Sequence, residues 1–305
     1  MDRLLRGKMT QITAKAQFPL LGAASMVASG LFFAIGNGLT STIVYGLGFK
    51  PQSDAFYQYL IALIVGLPFL LRHGAAALKT RHIGFNILRA VLSAIGVQAF
   101  VMSFAFGLPL WKIVVLVMTS PFFILLGAAL FLGEKVGPER WIAAAIGFGG
   151  GLVIVQPWSA GFSWADLFPV AAAVLWGIVS LMTKRLTAEE PSENITVWLL
   201  LLLTPINAAL SLKAGFEIPS GQILIYLLLG GCVVYLANFL LTKAYELSEA
   251  GFVQPFDDLK LVSNLLVSWF LGFELPHGNL WLGILMIAGA SAYLMFNKAK
   301  SPAFS

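Results

Sequence analysis

The chain has few charged residues for its length. Of its 305 residues, 11% are Asp, Glu, Lys or Arg, whereas soluble domains carry about 25%. Hydrophobic residues make up 59%. A chain of this length cannot enclose that much apolar surface in one aqueous core, because surface area falls too slowly with size. A soluble globular fold is therefore excluded, and the composition predicts that lipid covers the excess apolar surface.

Cysteine and histidine are also scarce, and this removes several kinds of site. Cys232 is the single cysteine, so neither a disulfide framework nor a cysteine metal cluster can form. The three histidines lack the His-Glu-x-x-His spacing of metalloproteases, and no glycine-rich loop ends in Lys-Ser or Lys-Thr. The sequence thus predicts no metal, no cofactor and no ATP hydrolysis. The net charge is +5. The basic residues lie between apolar runs, so they indicate membrane topology rather than nucleic-acid binding.

Long apolar runs dominate what is present. A helix needs about 20 mainly apolar residues to cross the hydrocarbon core, and ten segments approach or exceed this length, separated by short breaker stretches. The first run is longer than the core of a signal peptide and has no clear cleavage site, so we interpret it as a retained helix. Spans one to ten are predicted at residues 20–42, 54–71, 86–106, 110–132, 139–156, 164–184, 195–212, 221–242, 252–272 and 279–296.

Lysine and arginine predict the orientation, because they accumulate on the cytoplasmic side of membrane proteins. Lys50, Lys112 and Lys213 fall on one side, and Lys260 falls within span nine. All the others fall on the opposite side, which includes both termini. The bias predicts a multi-pass protein of a bacterial-type inner membrane, with both termini in the cytoplasm and an even number of spans.

The two halves of the chain repeat one another. Leu-Gly-Glu at 132–134 closes span four, and Leu-Gly-Phe-Glu at 271–274 closes span nine. A tryptophan follows seven residues after each glutamate, at Trp141 and Trp281. Five spans per half is an odd number, so the second half enters the membrane from the opposite side, as in many transporters. The predicted organisation is a cytoplasmic segment at 1–19, five-helix repeats at 20–156 and 164–296, and a cytoplasmic tail at 297–305.

At these residues the chain resembles the EamA family of the drug/metabolite transporter superfamily. Thr119-Ser120-Pro121 in span four and the Arg89-Ala90 opening of span three agree with the family pattern. The resemblance implies an all-α membrane fold of two inverted five-helix repeats, with spans one to four and six to nine around a central cavity. It also implies transport of amino acids, nucleotide-like metabolites, vitamins or drugs.

Span nine departs from the usual family pattern, because it carries Asp257, Asp258 and Lys260. An ionisable group inside a membrane costs about 2.5–3.5 kcal/mol on insertion scales, so it usually faces a cavity or a partner. Asp257 and Lys260 share a helix face and can pair. The three residues are predicted either to bind a charged part of the substrate or exchange a proton, or to form a structural ion pair. With charged residues in span nine, the chain resembles family subgroups that are uptake carriers for S-adenosylmethionine or riboflavin.

Other polar and aromatic residues are candidates for the same cavity. Amides in membrane spans also join helices, and aromatic residues also pack or anchor at interfaces, so a structural role stays open for each. Glu134 and Glu274 follow the ends of spans four and nine and are predicted to cap the next helix rather than to catalyse. The candidates are Asn37, Gln58, Gln98, Ser120, Trp176, Asn207, Tyr235, Asn238 and Asn264.

We therefore expect a secondary transporter that moves a small organic metabolite by alternating access. The substrate class includes amino acids, S-adenosylmethionine, riboflavin and drug-like compounds, and a homo-oligomer is compatible with this role. Two alternatives stay open. An intramembrane enzyme would need acid, base or metal ligands brought together, and only the charged residues of span nine offer them. The other alternative is a membrane scaffold that transports nothing.

Overall fold

The chain folds into helices joined by short connections. The computed structural model describes residues 18–73, 78–131, 137–156, 163–257, 259–273, 278 and 280–298, and these ranges contain no strand. Proline opens α1 and α6, where its missing N–H costs nothing. The helices are α1 (Pro19–Ser41, continued by a π-helix, Thr42–Gly46), α2 (Pro51–His73), α3 (Ile83–Ala105), α4 (Leu110–Val117), α5 (Ser120–Phe131), α6 (Pro138–Val155), α7 (Leu167–Leu186, after a 3-10 turn, Trp164–Asp166), α8 (Ser192–Lys213), α9 (Gly221–Leu247), α10 (Ala250–Asp257), α11 (Lys260–Phe270) and α12 (Leu280–Lys298).

The helices have the length and the exposed apolar surface of membrane spans. Large side chains such as Leu31, Ile95 and Leu229 stay exposed, as expected for a surface that faces lipid. Helical segments lie on all ten predicted spans, which confirms the all-α membrane fold and makes the chain a multi-pass membrane protein. The segments that by themselves are long and apolar enough to cross are Pro19–Gly46, Ile83–Ala105, Trp164–Leu186, Ser192–Lys213 and Gly221–Leu247.

Spans four and nine, predicted as continuous helices, are each interrupted. Span four divides into α4 and α5, and span nine divides into α10 and α11. At both places the backbone forms 3-10-type hydrogen bonds, which join residues three apart instead of four. Thr119 N–H donates to the Leu116 carbonyl (3.2 Å), and Leu259 N–H donates to the Phe256 carbonyl (3.3 Å). In span four the cause is Pro121, which has no N–H to donate one turn back. Interrupted helices at corresponding positions of two halves are typical of ligand sites in inverted-repeat transporters.

The packing between helices repeats when the two halves are exchanged. α1 packs on α9, and their counterparts α7 and α3 pack on each other. α1 also packs on α11, just as α7 packs on α5. The counterpart pairs α2 with α8 and α6 with α12 pack directly on one another. Helices of each half are therefore buried against the other half, and the interface between the halves runs through the centre of the molecule.

Glycine allows α6 and α12 to approach with their backbones almost in contact. A Cβ atom added at Gly283 would lie 2.6 Å from the carbonyl oxygen of Gly150. A Cβ atom added at Gly150 would lie 2.5 Å from the carbonyl oxygen of Gly283. Real Cβ atoms do not approach backbone oxygens this closely, so only glycine fits at both positions. Small residues at such crossings are how membrane helices pack tightly.

Gly283→Ala is expected to destabilise the protein by about 1–3 kcal/mol, because the new methyl group must push α6 and α12 apart. Gly289→Ala is the matched control, since the same helix carries Gly289 with nothing within 4 Å of an added Cβ. We expect this control to be neutral or slightly stabilising, because alanine favours helix more than glycine does. Thermal unfolding in detergent measures both. Equal melting temperatures for the two variants would contradict the backbone contact.

Side-chain contacts to a glutamate join connecting loops at the two ends of the bundle. At one end Lys50 Nζ lies 3.7 Å from Glu217 Oε1, and its backbone N–H donates to Glu217 Oε2 (2.8 Å). At the other end His82 Nε2 lies 2.8 Å from Glu189 Oε2. We call these contacts the Lys50 latch and the His82 latch. The repeat relates them, because one joins the α1–α2 loop to the α8–α9 loop and the other joins the α7–α8 loop to the α2–α3 loop.

Candidate functional site

α1 crosses the start of α11 at short distance. A Cβ atom at Gly30 would lie 2.9 Å from the Cβ of Lys260. Any larger side chain at residue 30 would therefore displace Lys260 or separate the two helices. The crossing places the interruption of span nine directly against the first span of the other half.

The charged residues of span nine form an ion pair at this crossing. Lys260 Nζ lies 2.5 Å from Asp257 Oδ2, and the two side chains are 16% and 6% exposed. The pairing that their spacing predicts is thus present. The pair spans the interruption, because Asp257 ends α10 and Lys260 begins α11. Asp258, the third charged candidate, lies outside the described residues.

Two predicted amides lie next to the ion pair. Asn37 Nδ2 of α1 donates to Asn264 Oδ1 of α11 (3.0 Å). Asn264 Nδ2 donates in turn to the backbone carbonyl of Lys260 (2.7 Å). Asn264 is buried, whereas Asn37 is only half-buried. Asn37, Asp257, Lys260 and Asn264 therefore form one group, the polar cluster, although they are far apart in sequence.

The equivalent crossing of α5 and α7 carries no charge: a Cβ atom added at Gly177 of α7 would lie 3.2 Å from the Cβ of Phe123 of α5. Further aromatic side chains surround it. Trp176 packs on Phe100 of α3, with ring centroids 5.4 Å apart. Gly96 makes room for the indole, since a Cβ there would lie 2.7 Å from Trp176 Nε1. Ser120, a further candidate, is buried at the start of α5. The two interruptions thus carry different chemistry, with hydrogen-bonding groups at one and a half-buried aromatic surface at the other.

The remaining candidates make contacts away from the polar cluster. Gln98 Nε2 donates to Asn207 Oδ1 (2.9 Å), which joins α3 to α8. Asn238 Nδ2 donates to the Val234 carbonyl of its own helix (2.8 Å). Tyr235 stacks on Phe239, also of its own helix. These contacts agree with the structural alternative for each of the four candidates, helix joining or packing.

Sequence analysis missed the roles of three buried charges. Arg89, used there for topology and family resemblance, is 1% exposed and donates to the Ile195 carbonyl (2.6 Å) and to Thr183 Oγ1 (3.1 Å). Asp166, not considered, is buried and pairs with Lys112 Nζ (2.6 Å). Asp54, also missed, is buried beside Gln58. The contact of Asp54 with Gln58, though not its burial, could have been predicted, since carboxylate and amide four residues apart lie on one helix face.

The described residues offer no metal-binding group of side chains. No set of three or more His, Cys, Asp or Glu lies close enough to hold a metal ion within the described ranges. Glu134 and Glu274, expected to be helix caps, lie outside those ranges. A cavity of about 530 Å³ opens beside His82 and Arg185 between α3 and α7, and its lining includes none of the predicted site residues.

The duplicated architecture identifies the family. The model of the EamA-like transporter family matches residues 20–156 and matches again at residues 163–296. The chain belongs to the EamA-like transporter family. This confirms the resemblance seen in the sequence, and with it the expectation of a transporter.

This EamA-like transporter is similar over most of its length to transporters with named substrates. A riboflavin transporter of Rhizobium johnstonii is 48% identical over 292 residues, which cover 95% of this chain and 96% of that protein. A riboflavin transporter of Vibrio cholerae is 40% identical, covering 90% of this chain and 93% of that protein. An S-adenosylmethionine uptake transporter of Rickettsia felis is 28% identical, covering 81% and 83%.

A solved crystal structure has the same fold. It superimposes with a TM-score of 0.66 at 19% sequence identity, covering 90% of this EamA-like transporter and 99% of its own chain. At this identity the likeness concerns the fold alone, and it agrees with the all-α architecture described above.

Proposed function

We propose that this EamA-like transporter carries riboflavin across the inner membrane by alternating access of its two halves. The observation that supports this most is the 48% identity to the riboflavin transporter of Rhizobium johnstonii across 95% of the chain. Two further riboflavin transporters, of Vibrio cholerae and Brucella anthropi, are 40% and 42% identical.

The chemistry of the interface between the halves suits this substrate. Riboflavin has a planar three-ring system with an imide edge and a chain of hydroxyl groups. The half-buried amide of Asn37 offers hydrogen bonds that complement an imide. Trp176 and Phe100 offer aromatic faces on which a flat ring system can stack. We assign the polar cluster to hydrogen bonding and Trp176 to stacking.

S-Adenosylmethionine is the second candidate, because uptake transporters for it are 24–28% identical to this chain. Its sulfonium centre carries a positive charge and would be favoured by an unneutralised carboxylate. In the described part of the polar cluster, Asp257 is already paired with Lys260. A neutral ion pair suits an uncharged substrate better than a cation.

The remaining parts of the proposal concern location and role. We propose an inner-membrane carrier with both termini in the cytoplasm, supported by the side on which most lysines and arginines fall. Its partners are the bilayer and a small molecule, without nucleic acid or cofactor. We propose no enzymatic activity, and a homo-oligomer is compatible with the fold.

Proteoliposomes that contain the purified protein are expected to exchange external for internal riboflavin, followed by riboflavin fluorescence or radiolabel. S-Adenosylmethionine in tenfold excess should not compete. Asn37→Ala should lower riboflavin exchange at least tenfold, because it removes the accessible amide of the polar cluster. Asn238→Ala is the control and should stay within about twofold of wild type, since the Asn238 amide donates to a carbonyl of its own helix. Exchange of S-adenosylmethionine instead of riboflavin would contradict the proposal.

A further inference from the structure

A carboxyl group outside the polar cluster is buried in the first turn of α2. Asp54 is 2% exposed. The amide of Gln58, one turn later, donates from Nε2 to Asp54 Oδ1 (2.8 Å) and Oδ2 (2.9 Å). The same nitrogen also donates to Thr40 Oγ1 at the end of α1 (2.8 Å). Asp54, Gln58 and Thr40 therefore form a hydrogen-bonded group between the first two helices.

No cation among the described residues pairs with Asp54. The charged groups at this end of the helices and loops around α2 are Lys50, Lys213 and Glu217. Lys50 and Glu217 pair with each other in the Lys50 latch, and Lys213 is exposed at the end of α8. A buried carboxylate without a counter-ion is costly, and the protonated, neutral carboxyl avoids that cost. Intramembrane carboxyl groups of this kind are recurrent proton carriers in transporters.

Gln58 suits both protonation states of Asp54. An amide has two N–H donors and a carbonyl acceptor. With its nitrogen toward Asp54 it donates to the carboxylate, as in the structure. With the amide turned over, its oxygen accepts from the O–H of a protonated Asp54 and from the hydroxyl of Thr40. The group can therefore hold or release a proton while Asp54 keeps a hydrogen bond to Gln58.

The end of α1, which carries Thr40, continues into an irregular helical segment. Thr40 lies two residues before the π-helix Thr42–Gly46, and π-turns are rare and occur frequently at functional sites. The hydroxyl of Tyr45 in this π-helix donates to the Leu108 carbonyl before α4 (2.7 Å). A displacement of α1 away from α2 would break the bond between Thr40 and Gln58 and expose Asp54 to the side where Lys50 lies. That side is the one predicted to be non-cytoplasmic.

We propose that Asp54 is the proton-binding carboxyl that couples transport to the proton gradient, with Gln58 and Thr40 as its gate. From the non-cytoplasmic side, hydronium gives its proton to an Asp54 oxygen, which forms an O–H bond and leaves water. In the cytoplasm-facing state the O–H bond breaks and the proton passes to water. Substrate and proton move in the same direction, into the cell. This inference rests on the proposed riboflavin transport.

The test separates exchange from accumulation in proteoliposomes. A gradient of one pH unit corresponds to about 1.36 kcal/mol, so each proton carried supports up to about tenfold accumulation of an uncharged substrate. Wild type should accumulate riboflavin when the inside is alkaline. Asp54→Asn should lose this accumulation but keep exchange of riboflavin across the membrane, because the amide copies the neutral carboxyl and cannot release a proton. The control Glu139→Gln, at an exposed carboxylate of α6, should accumulate like wild type.

Each outcome decides the proposal. Riboflavin exchange by wild type without a pH-driven component, or accumulation driven by sodium instead, would overturn the proton site alone. So would full accumulation by Asp54→Asn. If Asp54→Asn loses exchange as well, Asp54→Glu decides, since a carboxyl should restore pH-driven accumulation and its failure would reject the proposal. Absence of riboflavin exchange in wild type would instead reject the proposed substrate, and the coupling with it.

Discussion

Asp257→Asn is expected to destabilise the protein by about 3–5 kcal/mol, because it leaves the Lys260 ammonium buried without its partner. The two side chains are only 6% and 16% exposed, so water cannot replace the lost charge. The double change Asp257→Asn with Lys260→Met should recover most of this loss, since removing both charges of a buried pair is often neutral. Thermal unfolding of the purified variants in detergent measures the difference.

Riboflavin flux then separates the two roles left open for the pair. Lys260 is the more exposed partner and belongs to the polar cluster that we assign to substrate binding. We therefore expect the double variant to fold and insert but to transport at least tenfold more slowly than wild type. Full flux in the double variant would show that the pair is purely structural, and the substrate contacts would then have to lie elsewhere.

Arg89→Ala is expected to cost about 3–5 kcal/mol, through lost packing and through buried groups left without their charged partner. Arg89 is among the largest fully buried side chains of the described chain. Its guanidinium joins α3 to Thr183 of α7 and to the Ile195 carbonyl of α8. Arg89→Lys should recover only part of the loss, because a lysine ammonium cannot copy the fixed fork of a guanidinium.

Arg185→Ala is the matched control for this prediction. Arg185 is exposed at the end of α7 and belongs to the same face of the membrane, so its removal should change stability by less than about 0.5 kcal/mol. Expression level in membranes and melting temperature in detergent measure both variants. Equal values for Arg89→Ala and Arg185→Ala would show that the buried contacts of Arg89 contribute little.

Composition and apolar run length predicted the membrane class and the ten spans, because both depend on local sequence. The inverted halves followed from the motifs repeated at the ends of spans four and nine and from the odd number of spans in each half. The interruption of span four was also accessible in principle, since Pro121 removes a helical hydrogen bond. The interruption of span nine could not be predicted in this way. No proline stands at that position, and Lys260 there meets Gly30, which belongs to the opposite half.

The candidate site was predicted in part. Asp257 and Lys260 pair as their spacing indicates, and Asn37 and Asn264 were both singled out. Their mutual contact was beyond sequence reasoning, because it depends on how two helices of different halves cross. Asp54 was missed because a carboxylate near a span end suggests an interfacial residue in contact with water. Only the packing of α2 against its neighbours shows it to be buried.

The contacts between loops at the two ends of the bundle affect how easily the carrier changes between its outward-facing and inward-facing states. The Lys50 latch and the His82 latch are both partly exposed to solvent, and such ion pairs are worth about 1 kcal/mol or less. Breaking one latch while the other stays closed thus changes the energy by an amount comparable to thermal motion. The latches by themselves would then bias the outward and inward populations by less than about tenfold. Salt, which screens exposed charges, would shift that balance without unfolding the helices.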